Sequence, residues 1–108
     1  MKFDIQGMMQ QAKKMQDEVE SIKRNLDNMT VTADSGGGFV SATMTGNTRL
    51  VSIKISQEII AQNDIAMIED LVVAAVNKAI EKANQLSSDE MSKIKNMLPN
   101  IPGLNLGF

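Results

Sequence analysis

The chain has 108 residues, the length of one domain, and it contains no histidine, cysteine, tryptophan or tyrosine. These absences exclude Cys/His zinc sites, Ser-His-Asp and Cys-His catalytic sets and disulfides, so we expect neither an enzyme nor a metal or cofactor site. With 11 basic and 13 acidic side chains the net charge is −2, so composition alone does not indicate nucleic-acid binding.

Targeting signals are missing from the pattern as well. The longest apolar run, Leu71–Val76, has six residues, far fewer than the roughly 20 that span a bilayer. The first residues carry no apolar run of the length that a signal peptide needs. We therefore expect a soluble, cytoplasmic protein with no membrane partner.

The first segment carries a heptad repeat. Apolar residues recur in alternating steps of three and four from Ile5 to Met29, which predicts a long helix over residues 5–29 with a coiled-coil seam. At about 38 Å this helix exceeds what a small domain covers, so we expect it to project or to pair with another chain in a homodimer. The seam residues assigned to helix packing or to the dimer are Met8, Ala12, Met15, Val19, Ile22 and Leu26.

From Thr30 the hydrophobic period changes to two. Three alternating runs within residues 30–56, separated by a glycine-rich turn and by Gly46-Asn47, predict a three-stranded antiparallel meander. One sheet face is then apolar and buried, and the other is polar and wet. The residues predicted to face the core are Val31, Ala33, Val40, Ala42, Met44, Val51, Ile53 and Ile55.

A second long amphipathic helix is predicted over residues 64–98. Asn63 and Asp64 offer an N-cap, and an apolar stripe that begins at Ile65 is expected to cover the sheet. Within that stripe, small residues one turn apart would let the helix approach another backbone closely. They are Ala75, Ala79 and Ala83.

The sequence pattern allows two different ends for this helix. Ser87-Ser88-Asp89-Glu90 resembles a capping box, so the helix either breaks there or continues to Leu98. Residues 99–108 contain proline and glycine and are expected to form a flexible tail. The predicted class is α+β: one domain over residues 1–98, with a long helix on each side of the meander and the second helix packed on the sheet.

In this order of elements the sequence resembles the YbaB/EbfC family of bacterial nucleoid-associated proteins. The resemblance is carried by the Met- and Gln-rich helix Gly7–Gln16, the glycine-led strand Gly37–Gly46, and the strand Val51–Ile55 followed by the helix Ile68–Ala79. It implies a homodimer whose paired helices project as arms. It further implies binding to double-stranded DNA, a change in the conformation of that DNA, organisation of the nucleoid and an influence on gene expression.

Basic side chains outside the seam are the candidate phosphate contacts. No helix-turn-helix, zinc-finger or aromatic RNA-binding pattern is present, so contacts mainly to the backbone are expected. The alternative is an ordinary solvated exterior, because acidic residues alternate with the basic ones on the first helix, and charges near a hairpin also guard sheet edges. The candidates are Lys13, Lys14, Lys23, Arg24, Arg49 and Lys54.

A second hypothesis comes from another class of function. Two long helices on a small β unit also suit a protein-interaction or chaperone-like module that grips a polypeptide. Phosphate-driven binding weakens steeply as salt rises, whereas an apolar groove tolerates salt, so a salt series separates the two hypotheses. An enzyme with a small-molecule substrate is not expected, since no acid, base and nucleophile set converges.

Overall fold

The computed structural model describes residues 4–97, and it describes side chains up to residue 94. Two long helices flank a three-stranded sheet in the predicted order, which confirms the α+β class. A short helix after the third strand was not predicted. The elements are α1 (Ile5–Asp27), β1 (Thr30–Ser35), β2 (Val40–Thr45), β3 (Leu50–Ile55), α2 (Gln57–Ala61) and α3 (Ile65–Met97).

Helix α1 begins with a side-chain cap. The Oδ1 atom of Asp4 accepts a hydrogen bond from the backbone N–H of Gly7 at 2.9 Å, which satisfies one of the free donors of the first turn. The helix ends at Asp27, two residues before the predicted end at residue 29, because the chain turns there into β1. Asn28 and Met29 close that turn by donating to the carbonyls of the last helical turn.

The sheet is an antiparallel meander in the order β1-β2-β3. Ala33 lies opposite Ala42, and Ala42 lies opposite Ile53, so these three positions share one face. Thr43 pairs with Ser52 and Met44 with Leu50, which leaves Val51 as an extra residue in a β-bulge.

Helix α3 covers this face over β1 and β2. The close approach predicted from the alanines is confirmed, because all three are fully buried against the sheet. The hydroxyl of Ser35 adds a polar tie by donating to the carbonyl of Leu71 at 2.6 Å. The core cluster consists of Ala33, Val40, Ala42, Met44, Ala75, Ala79 and Ala83.

Strand β3 lies beyond this cover. The prediction that Val51 and Ile53 are buried is wrong, since these side chains are 58% and 36% exposed. The reason is the width of α3, which packs over β1 and β2 and leaves the third strand open. Ile65, assigned to the apolar stripe, is likewise exposed because it precedes the part of α3 that contacts the sheet.

Helix α3 runs unbroken through residues 87–90, which settles the alternative that the sequence left open. Its start is capped by Asp64, whose Oδ1 accepts from the N–H of Met67 at 3.1 Å. Its C-terminal half leaves the sheet and packs Ile94 against Ile22 and Leu26 of α1. The predicted tail, residues 99–108, lies outside the described residues.

The helices make the molecule long and narrow. Its extents are 74 × 24 × 16 Å and its radius of gyration is 20.4 Å, whereas a compact domain of this length has a radius near 13 Å. Over residues 4–97, no helix combines the length and hydropathy needed to cross a bilayer.

Candidate nucleic-acid interface

The four basic residues predicted on α1 are all exposed, but they do not form one strip. At about 100° per residue, Lys13, Lys14 and Arg24 fall on the side of α1 opposite Leu26, and Lys23 falls on a flank nearer the seam. Lys13 and Arg24 differ by about 20° around the helix and lie about 16 Å apart along it. These two residues therefore define the most aligned part of the basic side of α1.

Acidic residues share that side. Asp17 and Glu20 lie between Lys13 and Arg24 in the sequence and at similar angles around the helix, and both are exposed. Their presence lowers the local positive potential without forming ion pairs, because the one ion pair found among the described side chains lies elsewhere, on α3. No group of three or more acidic side chains that could hold a metal ion occurs in the described part of the chain.

The β2–β3 turn is bonded to the end of α1. The backbone N–H of Gly46 donates to the carbonyls of Leu26 and Met29, at 3.1 and 2.9 Å. The side-chain amide of Asn47 donates to the carbonyl of Lys23 at 2.9 Å and to the carboxylate of Asp27 at 2.6 Å. The turn thus bonds to the Leu26 carbonyl, one of those that the end of the helix leaves without an i+4 partner, and is tied to the last turns of α1 at Lys23 and Asp27 as well.

This docking fixes Arg49 beside the end of α1. The N–H of Thr45 donates to the Arg49 carbonyl at 2.8 Å, and the Arg49 N–H donates to the Thr45 hydroxyl at 3.2 Å. Arg49 then lines an open cleft of about 500 Å³ together with Asp27, Thr45, Leu50 and Val51. The structure therefore brings Arg49 to the same end of the molecule as the basic residues in the last turns of α1.

Lys54 lies apart from that group. It is exposed on the polar face of the sheet, opposite Ser41, and lies about 17 Å along β3 from Arg49. Its neighbours on that face are hydroxyls, including Thr32 and Thr43, whose Oγ1 atoms lie 2.9 Å apart.

Lysines on α3 take structural roles that the sequence pattern did not reveal. Lys82 donates from Nζ to the Thr32 carbonyl at 2.9 Å, and Lys78 donates to the Asp34 carbonyl at 3.4 Å. Both acceptors belong to the free edge of β1. The four-residue spacing of the two lysines was the available signal, because it places them on one side of α3. Lys93 is paired with Glu90 at 3.0 Å.

The seam of α1 divides into two parts. Ile22 and Leu26 are buried against α3 of the same chain, and Val19 packs at the edge of that contact. Met15 is half-buried, whereas Met8 and Ala12 are exposed. The C-terminal half of the seam therefore has its partner helix within the chain, and the N-terminal half presents an apolar stripe to solvent.

Comparison with known proteins finds relatives that match this chain over nearly its whole length. A model of the YbaB/EbfC DNA-binding family matches residues 1–98. A nucleoid-associated protein of Thermoanaerobacter pseudethanolicus is 43% identical over 94% of this chain and 91% of its own length. One from Thermodesulfovibrio yellowstonii is 45% identical over 90% of this chain and 84% of its own.

A solved structure has the same fold. The crystal structure of an uncharacterized Helicobacter pylori protein superposes with a TM-score of 0.73, at 20% identity, over 91% of this chain and all of that one. The sequence match to the family model and to the relatives also exceeds what a shared fold alone requires. The chain belongs to the YbaB/EbfC DNA-binding family.

Proposed function

We propose that this chain is a homodimeric nucleoid-associated protein that binds double-stranded DNA mainly through the phosphate backbone. Membership of a family described as DNA-binding supports the partner, and the names of the relatives support association with the nucleoid. The single structural observation behind the proposal is the exposed basic side of α1, which lies on a helix projecting from the sheet.

The distance between the basic side chains on α1 suits contact with a DNA duplex. Lys13 and Arg24 are about 16 Å apart, which is comparable with the about 12 Å width of a major groove. Side chains at the two positions can therefore reach phosphates on both sides of one groove. Among the described residues, neither is held by an acidic partner.

The acidic net charge limits affinity but does not oppose this contact. Charges separated by more than about 10 Å at 0.1 M salt are largely screened. Lys13 and Arg24 lie on the side of α1 opposite Leu26, which packs against α3, so screening weakens the influence of the acidic residues on α3. Since Asp17 and Glu20 remain close to the basic side of α1, the proposal is micromolar, weakly selective binding that leaves base edges unread.

Two copies would double the number of phosphate contacts. Support for a homodimer comes from apolar surface that one chain leaves uncovered, on β3 and on the N-terminal half of α1. Large exposed apolar patches mark association sites in small proteins. With two basic sides on one particle, a DNA segment is contacted at two places, and its path between them is constrained.

A mobility-shift titration across a salt series tests the DNA proposal. Two unrelated duplexes of equal length are titrated from 50 to 200 mM salt, and log affinity is plotted against log salt. We expect nearly equal affinities for the two duplexes and a slope of about −0.9 per phosphate contact. Absence of binding at 50 mM salt, or a slope near zero, contradicts the proposal.

One observation favours the second candidate, a module that grips a polypeptide. Met8 and Met9 near the start of α1 are 62% and 67% exposed, and methionine surfaces adapt to varied apolar partners. The same salt series with a fluorescent unfolded polypeptide in place of DNA tests it. Binding that persists at 200 mM salt supports this candidate, and loss of binding in step with the DNA signal counts against it.

A further inference from the structure

The two edges of the sheet differ in whether side chains bond to their outward backbone groups. At the β1 edge, the Nζ atoms of Lys82 and Lys78 donate hydrogen bonds to the carbonyls of Thr32 and Asp34, respectively. At the β3 edge, no hydrogen bond between described residues reaches the side that faces away from β2. Natural sheets protect edges that must stay unpaired, often with lysine, so the unprotected β3 edge is the one available for pairing.

The backbone groups on that edge can be identified. The N–H of Ser56 donates to the Phe39 carbonyl of the neighbouring strand at 2.8 Å. Successive residues of a strand direct their N–H and C=O groups to alternate sides. Ile55 and Ile53 therefore direct both groups away from β2, toward the open edge.

The side chains at this edge are apolar. Ile53 lies opposite Ala42 on the α3 side of the sheet, yet it is 36% exposed because α3 does not reach over β3. Leu50 and Val51 are 42% and 58% exposed. An exposed edge strand with this composition is an aggregation hazard unless a partner covers it.

We propose that a second copy of this chain pairs its β3 antiparallel to β3, so that the two sheets join into one of six strands. This inference rests on the proposed homodimer and assigns its surface. Twofold pairing needs only one self-complementary strand on each copy. The joined sheet ends at both sides in a lysine-covered β1 edge, so association stops at two copies.

Charge selects the register. A twofold axis at Lys54 places the two lysines directly opposite each other, which is destabilising. An axis at Ile53 instead pairs Ile53 with itself and places Ser52 opposite the partner's Lys54. In this register the outward backbone groups of Ile53 bond to those of the partner's Ile53, and the two isoleucines fill the gap between the two α3 helices.

A crosslink tests the surface directly, because the chain has no cysteine of its own. In the selected register the Cα atoms of position 53 lie about 5.5 Å apart, within the range of about 4.4–6.8 Å that a disulfide spans. After mild oxidation of Ile53→Cys, we expect most of the protein to migrate as a covalent dimer on a non-reducing gel. Thr32→Cys, on the covered edge, is the matched control and should remain largely monomeric.

Substitutions at position 52 test the register. Ser52→Glu, facing the partner's Lys54, should lower the dimer dissociation constant roughly fivefold, because each dimer contains two such cross-strand pairs. Ser52→Lys should raise it by a similar factor. Sedimentation equilibrium gives both values, and circular dichroism checks that each variant is folded. Ile53→Lys should dissociate the dimer while keeping the wild-type helix content.

The possible failures are distinguishable. A wild-type protein that is monomeric at micromolar concentration overturns the homodimer and this surface together. A wild-type dimer that Ile53→Cys does not crosslink and Ile53→Lys does not dissociate overturns the surface alone. Crosslinking at position 53 with no opposite response of Ser52→Glu and Ser52→Lys overturns the register.

Discussion

The backbone N–H of Gly46 donates to the carbonyl of Leu26 at 3.1 Å, and this bond joins the β2–β3 turn to the end of α1. A Cβ atom at position 46 would lie 2.6 Å from Cδ2 of Leu26 and 3.2 Å from its carbonyl oxygen. We predict that Gly46→Ala lowers the free energy of unfolding by about 1–3 kcal/mol through overpacking. Urea denaturation measures the loss.

A double-mutant cycle identifies the cause of that loss. If the added methyl group clashes with the Leu26 side chain, then Gly46→Ala costs less in a Leu26→Ala background than in the wild type. Additive losses would mean that the turn is destabilised for a reason other than contact with Leu26.

The amide of Asn47 provides a second bond between turn and helix. We predict that Asn47→Ala, which removes the bonds to Lys23 and Asp27, lowers stability by about 1–2 kcal/mol. Hydrogen exchange should also quicken in the last turn of α1. Asn28→Ala is the control, because its side chain makes only a 3.4 Å bond to the Arg24 carbonyl. Equal effects of the two substitutions would contradict the role given to Asn47.

The two halves of the α1 seam should respond differently to charge. Ile22→Asp places a carboxylate against Ile94 and should cost about 3 kcal/mol or more. Met8→Asp should leave the melting temperature unchanged because Met8 is exposed. Thermal denaturation followed by circular dichroism compares them. If the wild type is a dimer and Met8→Asp is a monomer, the N-terminal seam is a dimer contact, and pairing of β3 alone does not hold the dimer together.

The phosphate contacts are tested by a neutral variant. We predict that replacing Lys13, Lys14, Lys23 and Arg24 with Gln weakens binding about equally for unrelated duplexes. For every phosphate contact that the substitutions remove, the dependence of log affinity on log salt should flatten by about 0.9. Mobility shifts over a salt series give both quantities, and circular dichroism should show an unchanged fold.

A matched pair of single variants separates position from total charge. Lys13→Gln on α1 should weaken binding more than Lys93→Gln on α3, although each removes one charge. Unchanged affinity and slope in the quadruple variant would move the site to Arg49 and Lys54. Loss for one duplex only would indicate base readout.

The covered β1 edge predicts an assembly phenotype. Lys78→Ala with Lys82→Ala frees the carbonyls of Thr32 and Asp34, so β1 becomes available for strand pairing. We expect species larger than a dimer by light scattering at concentrations where the wild type forms none. If the double variant keeps the wild-type mass, the lysines do not protect this edge.

Local periodicity was sufficient to predict most of the fold. The alternation in β1 and β2 identified their buried apolar residues, although not the buried Ser35 and Thr45, and the spacing of Ala75, Ala79 and Ala83 identified the close helix-sheet contact. Both signals depend only on neighbours in sequence. The exposure of Ile53 could not be predicted in this way, because alternation shows which residues share a face and not how far a helix extends over it.

The candidate site was predictable in part. The heptad positions of Lys14 and Lys23 already separate them around α1, so the division of the basic residues could have been found from the sequence. The position of Arg49 could not, since it depends on Asn47 bonding to Lys23, a residue 24 positions earlier in the chain. Such long-range bonds leave no periodic signal.

The continuity of α3 has a mechanical consequence. One uninterrupted helix joins Ala83, the last of the alanines buried against the sheet, to Ile94, which packs on α1, over about 16 Å. A tilt of about 5° at the sheet end displaces the Ile94 end by about 1.4 Å, because the helix acts as a rigid lever over that length. In the proposed homodimer, small adjustments where α3 meets the sheet would therefore change how far apart the projecting helices of the two copies stand, and with it the width of the object that fits between them.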